Sequence, residues 1–220
     1  MQILEYIVTH WDTLLVEFGR HLAVVGIAMP IALAIGVPTG ILISANRRVA
    51  RIVIYFASIL MTIPSLALFG FMVILLAPLK AGIGTTPAVV ALVVYSFLPV
   101  TRNTLVAIRS VDPGMIRAAR GMGMTTWQVL RKVRLPLAIP VIFAGIRNAA
   151  VLGVSVTTIA YLIGARGLGY FIFSGLSRSR LDMVIVGALA VAALGIGTNY
   201  GLLKAEDAVT PKGLKITRSE

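Results

Sequence analysis

Five long apolar stretches, uncharged except for one arginine, constrain the fold more than any other feature of this sequence. They occupy residues 22–46, 52–79, 81–101, 135–165 and 183–203, and a single basic residue, Arg147, interrupts the fourth. A helix needs about 20 apolar residues to cross a hydrocarbon core of about 30 Å, so each stretch can span a membrane. Because lipid offers no partner for unpaired backbone N–H and C=O groups, the stretches predict helices. The predicted fold is all-α, a polytopic membrane bundle of about five transmembrane helices.

The composition agrees with a membrane protein. Of the 220 residues, 58% are hydrophobic and 13% are charged, whereas soluble domains carry about 25% charged residues. The net charge of +12 lies in clusters between the apolar stretches, a pattern that sets membrane orientation, so nucleic acid is not an expected partner. With no cysteine and two histidines, neither a disulfide framework nor a metal site of the usual ligand types is expected.

The basic clusters predict the orientation and the boundaries of the chain. They lie at 47–51, 102–134 and 204–218, which fall on one side of the membrane. The positive-inside rule makes that side cytoplasmic and places the N-terminus outside, although Arg178 and Arg180 lie on the outer side. Residues 1–20 predict an amphipathic interfacial helix, with an extension of the first span as the alternative. Residues 21–203 would form the transmembrane domain and 204–220 a cytoplasmic tail.

Prolines and glycines within the apolar stretches indicate local features of the spans. Prolines at 30, 38, 64, 99 and 140 predict kinks, since each removes a helical hydrogen bond. Gly36 and Gly40 are a candidate for a close helix contact.

The loop at 110–136 is long and organised. Asp112 and Pro113 predict the start of a short helix, and Gly121 and Gly123 predict its end in a sharp, crowded turn. A capping box beginning at Thr125 predicts a second short helix, and the fourth span is expected to start at 135–136. The first helix carries Met115, Ala118, Ala119 and Met122 on one face, with basic residues around it. Such a surface favours docking in a groove of a cytoplasmic partner, and contact with anionic lipid is the alternative.

This loop resembles the EAA loop of type I (MetI-like) ABC importer permeases. The likeness rests on Ala118-Ala119, Gly123 and the later Leu135-Pro136, whereas Arg117 stands where the family usually has Glu. The resemblance implies that the short helix before the glycine is a coupling helix, which receives the movement of a separate ATPase subunit. The residues implied in coupling are Arg117, Ala118, Ala119, Gly121, Met122, Gly123, Met124, Leu135 and Pro136.

Further segments resemble the permeases of osmoprotectant importers. They are TIPSLAL at 62–68, LPVTRNT at 98–104, VDP at 111–113, RGMGMT at 120–125 and IGARGLG at 163–169. The resemblance implies import of glycine betaine, carnitine or choline across a bacterial inner membrane. It also implies four kinds of partner: a second permease, identical or homologous; two cytoplasmic ATPases that hold ATP and Mg; an extracytoplasmic substrate-binding protein; and membrane lipid. The chain itself would be non-catalytic and hold no cofactor.

Two alternatives remain at this point, and polar residues mark a candidate pathway. The chain could import another small polar solute such as an amino acid, or act as an ATP-independent channel or secondary transporter. The five stretches contain no Asp or Glu, which argues against ion-coupled transport. No phosphate-binding Gly-rich Lys-Ser/Thr loop is present either. The polar residues that could line a passage or bond between helices are Thr62, Ser65, Arg147, Asn148, Ser155, Thr157 and Thr158.

Overall fold

The structure is a computed structural model that describes residues 2–210, and the described chain is helical with no strand. The predicted all-α fold is confirmed. The helices are α1 Gln2–Thr9, α2 Trp11–Ser44, α3 Arg47–Thr62, α4 Ser65–Leu76, α5 Thr85–Arg109, α6 Pro113–Gly121, α7 Thr126–Val129, α8 Leu135–Ile159, α9 Gly169–Ser177 and α10 Leu181–Val209. Most of the predicted cytoplasmic tail, at 211–220, lies outside the described residues, and 204–209 form the last turns of α10.

Four helices are long and apolar enough to cross a membrane: α2, α5, the helix that contains α8, and α10. The second predicted span is instead a bent pair, in which α3 and α4 meet at 98° around Pro64. A proline disfavours helical angles in the residue before it, and Ile63 is extended, with φ −68° and ψ 124°. The hydroxyl of Tyr95 donates to the freed carbonyl of Ile63. The proline predicted to kink this span therefore breaks it, whereas Pro30, Pro38, Pro99 and Pro140 lie inside continuous helices.

Helices α2, α5 and α8 form the packed centre, and glycines allow them to approach closely. A Cβ atom added at Gly36 would lie 2.8 Å from Cγ1 of Val100, and one at Gly40 would lie 2.6 Å from Cβ of Thr104. The Gly36 and Gly40 pair is therefore a close contact of α2 with α5. On the other side of α5, a Cβ at Gly145 of α8 would lie 2.3 Å from Cβ of Asn103.

The predicted N-terminal helix over 1–20 is two helices. The first, α1, ends at Thr9, and residues 11–20 form the first turns of the long helix α2. Within the second helix Glu17 is buried, and its Oε1 accepts hydrogen bonds from Arg166 Nη2 at 2.6 Å and Arg20 Nη1 at 2.8 Å. Arg166 follows α8, so this ion pair links residues 11–20 to the bundle. Residues 11–20 are continuous with the first span, and the interfacial position of the N-terminal residues stays a prediction.

Candidate functional site

The chain after α5 forms a small projecting unit, residues 112–129, which we call the α6–α7 knob. Its start is fixed to the bundle, because the guanidinium of Arg109, the last residue of α5, donates to the carbonyls of Ser44 and Ile43 at the end of α2. Helix α6 begins as predicted: Asp112 Oδ1 accepts from the backbone N–H of Gly114 at 2.7 Å, and Pro113 is the first helical residue.

The glycine turn that ends α6 has the geometry of a Schellman motif. The N–H of Met124 donates to the carbonyl of Ala119 at 3.2 Å, and the N–H of Gly123 donates to that of Arg120 at 2.9 Å. Gly123 has a φ of +81°, the left-handed region that glycine adopts without steric cost. A Cβ added there would meet no atom within 4 Å. The predicted crowding at this turn is therefore wrong: the backbone angle, and not the lack of space, requires glycine.

The second helix of the knob continues into the bundle. Thr125 Oγ1 accepts from the N–H of Gln128 and Gln128 Oε1 accepts from the N–H of Thr125, which confirms the predicted capping box. Helix α8 begins at Leu135 as predicted, yet a π-helical turn at Leu130–Arg134 joins it to α7 without a break. The N–H of Leu135 donates to the carbonyl of Leu130, five residues back. A widened turn here accommodates Pro136, which has no N–H and whose ring crowds the preceding turn.

The outer face of the knob is apolar and exposed. Met115, Met122 and Trp127 are 51%, 71% and 65% exposed, and Ala118 is exposed as well. Ala119 is buried, so its predicted place on the same face as Ala118 is wrong: Ala118 points to solvent, and Ala119 packs inside the knob. The other residues implied in coupling divide in the same way. Arg117, Gly121 and Gly123 are exposed, whereas Met124, Leu135 and Pro136 are partly buried.

A groove with both polar and apolar lining residues runs between α8 and α10. Its part nearer the knob has a volume of about 480 Å³ and is lined by Arg147 and Asn148 of α8 and Asn199 of α10. A second part, of about 520 Å³, is mostly apolar and includes Ser155 and Thr158. Val151, Gly195 and Ile196 line both parts, so the two form one continuous groove.

The groove gathers four of the seven polar residues predicted for a pathway: Arg147, Asn148, Ser155 and Thr158. Thr157 is buried on another face of α8. Thr62 and Ser65 lie at the break between α3 and α4, where the Thr62 hydroxyl donates to the Ile59 carbonyl at 2.7 Å, and they do not line this groove. The role of all seven in transport stays a prediction. Asn199 was not among the residues predicted for the pathway, although it is the one amide in the apolar stretch 183–203.

Arg147 is paired with a buried carboxylate. Its Nη1 donates to Glu206 of α10, whose side chain is fully buried, while the Arg147 side chain is 18% exposed. A buried charge needs such a partner, because removal from water costs several kcal/mol. Glu206 and Glu17 lie beyond the ends of the apolar stretches, in helices that extend past them. The expectation of spans free of acidic residues therefore holds for the stretches but not for the full helices α2 and α10.

Comparison with known proteins agrees with this architecture. Residues 32–201 match the family described as the binding-protein-dependent transport system inner membrane component. The osmoprotectant import permease protein OsmW of Salmonella typhimurium is 46% identical, over 89% of this chain and 91% of its own. The carnitine transport permease protein OpuCB of Listeria monocytogenes is 43% identical over 93% and 92%. The glycine betaine/carnitine/choline transport system permease protein OpuCB of Bacillus subtilis is 39% identical over 97% and 96%.

Solved structures share the fold. A chain of the MetNI methionine ABC transporter, in an inward-facing conformation, superposes with a TM-score of 0.81 at 24% identity, over 90% of this chain and 97% of the other. A chain of an amino acid ABC transporter crystallised with histidines gives 0.77 at 21%, over 92% and 97%. The predicted type I, MetI-like fold is confirmed. The chain is a multi-pass protein of the bacterial plasma membrane, and it belongs to the family of inner membrane permease components of binding-protein-dependent ABC transporters.

Proposed function

We propose that this chain is the permease subunit of an importer for osmoprotectants such as glycine betaine, carnitine or choline. The observation that carries the proposal is the set of relatives, which are 39–46% identical over 89% or more of the chain and are all named for such solutes. Identity of this level over nearly the whole chain supports a shared substrate class as well as a shared fold.

We also propose the composition of the complex. A second permease, identical or related, encloses the pathway with this one. Two cytoplasmic ATPase subunits hold ATP and Mg, and a binding protein delivers substrate at the outer face. This chain is not an enzyme in that complex. Its family supports separate ATPase and binding-protein partners, and the exposed methionines of the knob suit a groove in an ATPase.

The proposed orientation places the knob in the cytoplasm and the N-terminus outside. The basic clusters around the knob and at 47–51 support it. Closure of the ATPases would push on α6 and α7. Because the helix continues without a break from Thr126 to Ile163, that displacement reaches the α8–α10 groove through α8 itself.

The chain has no cysteine, so single cysteines test the orientation cleanly. We expect Met122→Cys to react with a membrane-impermeant maleimide only from the cytoplasmic side, and to cross-link to the ATPase. Ser179→Cys, in the exposed turn before α10, is the matched control and should react only from outside. The opposite labelling pattern would overturn the orientation and the role of the knob.

Uptake tests the function. The complex, reconstituted in proteoliposomes with its binding protein, should accumulate labelled glycine betaine, carnitine or choline only when ATP is supplied. Vesicles without the ATPase subunits are the control. Uptake without ATP would support a channel or secondary transporter, and uptake of amino acids but of no quaternary amine would overturn the substrate class.

A further inference from the structure

We propose that Arg147, Asn148 and Asn199 form a carboxylate subsite in the α8–α10 groove, and that the buried Glu206 holds Arg147 in place within it. The inference rests on the proposed function and deepens it, because it distinguishes zwitterionic solutes from purely cationic ones.

The position of the groove is the first argument. Both helices that form it are long and apolar enough to cross a membrane. Two amides and a guanidinium line one part of the groove, and Asn148 and Asn199 are exposed. Polar groups at membrane depth face a bundle interior or a water-filled cavity, because lipid leaves them without partners. The groove is therefore a surface turned toward a pathway or a second subunit, and not toward lipid.

The hydrogen-bonding capacity of Arg147 is the second argument. A guanidinium has five N–H donors in a planar fork, which matches the geometry of a carboxylate. Within residues 2–210, the structure pairs its Nη1 with Glu206. The side chain lines the groove and is partly exposed, so donors remain for an incoming carboxylate. The amides of Asn148 and Asn199 add donors from both helices.

The buried Glu206 fixes the guanidinium without reaching the solute. Its side chain is fully buried and does not line the groove, so a solute in the groove does not contact it. Taking the guanidinium away from a buried carboxylate would be costly, so the ion pair stays intact while the remaining donors of Arg147 bind the solute carboxylate. Choline has no carboxylate and gains nothing at these donors. The subsite therefore favours glycine betaine and carnitine over choline.

The experiment compares uptake by the complete complex in proteoliposomes for glycine betaine and choline. We expect Arg147→Gln to lower uptake of glycine betaine, relative to that of choline, by about tenfold or more, since it removes a hydrogen bond between charged groups. The loss should appear as a raised KM. Glu206→Gln should also lower uptake of glycine betaine relative to that of choline, because Arg147 then loses the carboxylate that holds it in place. Arg48→Gln, an exposed arginine outside the groove, is the matched control and should change neither.

A charge swap separates recognition from a merely structural ion pair. The double variant Arg147→Glu with Glu206→Arg keeps a pair between α8 and α10. We expect it to regain thermal stability relative to the single variants without regaining uptake of glycine betaine. Restored uptake in the swap, or an equal loss of both solutes in Arg147→Gln, would overturn the subsite.

Uptake by the wild-type complex distinguishes a failure of the subsite from a failure of the proposed function. If it takes up amino acids but no quaternary amine, the proposed function fails, and the subsite is tested with the amino acid and its amide, again expecting a selective loss for the carboxylate form. If it takes up only solutes without a carboxylate, the subsite proposal fails while the osmoprotectant assignment stands.

Discussion

The knob and the α8–α10 groove are built in opposite ways. Hydrogen bonds between residues at most five apart hold the knob, as between Met124 and Ala119, and its large apolar side chains point to solvent. The groove depends on two helices that are distant in sequence, and its central ion pair joins residues 59 apart. The surface of the knob can therefore change with little effect on folding. A change at the base of the groove alters folding and transport together.

The largest expected effect on stability concerns the ion pair between Arg147 and Glu206 at the groove. Glu206→Ala leaves the Arg147 guanidinium largely buried without its carboxylate, so we expect the free energy of unfolding to fall by about 3–5 kcal/mol. Thermal unfolding of the purified chain measures it. The double variant Arg147→Met with Glu206→Leu is the control, because replacing both charges by apolar groups is often neutral. If Glu206→Ala were as stable as the double variant, the ion pair would not contribute to folding stability.

The next effect concerns the helix contact beside the groove. Gly145→Ala places a Cβ 2.3 Å from Cβ of Asn103, so α5 and α8 must separate. Overpacking of this kind costs about 1–3 kcal/mol. Gly197→Ala, on α10 where an added Cβ meets no atom within 4 Å, should be neutral or slightly stabilising. Equal melting temperatures for these two variants would contradict the close contact.

A smaller loss of stability, with a larger loss of function, is expected in the knob. Gly123→Val forces a branched residue into a φ of +81°, at a cost of about 1–3 kcal/mol that distorts the turn locally. We expect the protein to insert normally, while ATP hydrolysis by the complex no longer drives uptake. The ratio of ATP hydrolysed to solute imported measures this uncoupling. The control is Gly26→Ala on α2, where an added Cβ meets no atom within 4 Å, and this variant should remain coupled.

The smallest effect on folding should come from the exposed face of the knob. Met122→Ser changes a side chain that is 71% exposed, so stability should shift by no more than about 0.5 kcal/mol. Binding of the ATPase should nevertheless weaken, as co-purification and ATPase stimulation would show. Ile83→Ser alters an equally exposed apolar side chain far along the chain and should leave binding unchanged. A loss with Ile83→Ser but not with Met122→Ser would place the docking surface elsewhere.

The local hydrogen bonds of the knob explain why the sequence could predict it. The cap at Asp112, the glycine at 123 and the capping box at Thr125 are local signals, each complete within a few residues, and the structure has all three. The burial of Ala119 depends on how α6 packs against its neighbours, which helical spacing alone does not fix. Spacing therefore placed both alanines on one face.

The contacts between distant residues have no such local signal in the sequence. Arg147 was a candidate because it is a charge inside an apolar stretch, but its partner Glu206 lies past the end of another stretch. Only the full length of α10 brings the two together. Pro64 likewise signalled a disturbance of the second span. The 98° bend also needs Tyr95, on another helix, to satisfy the carbonyl of Ile63.

The π-helical turn at Leu130–Arg134 has a mechanical consequence. Arg147 lies 15 residues beyond Lys132, which at about 1.5 Å per residue is a lever arm of about 22 Å. A rotation of α8 by about 10° at that turn would displace Arg147 by about 4 Å, which exceeds the length of a hydrogen bond. A modest rotation at the π-helical turn is thus amplified into the making or breaking of the ionic contact between Arg147 and Glu206.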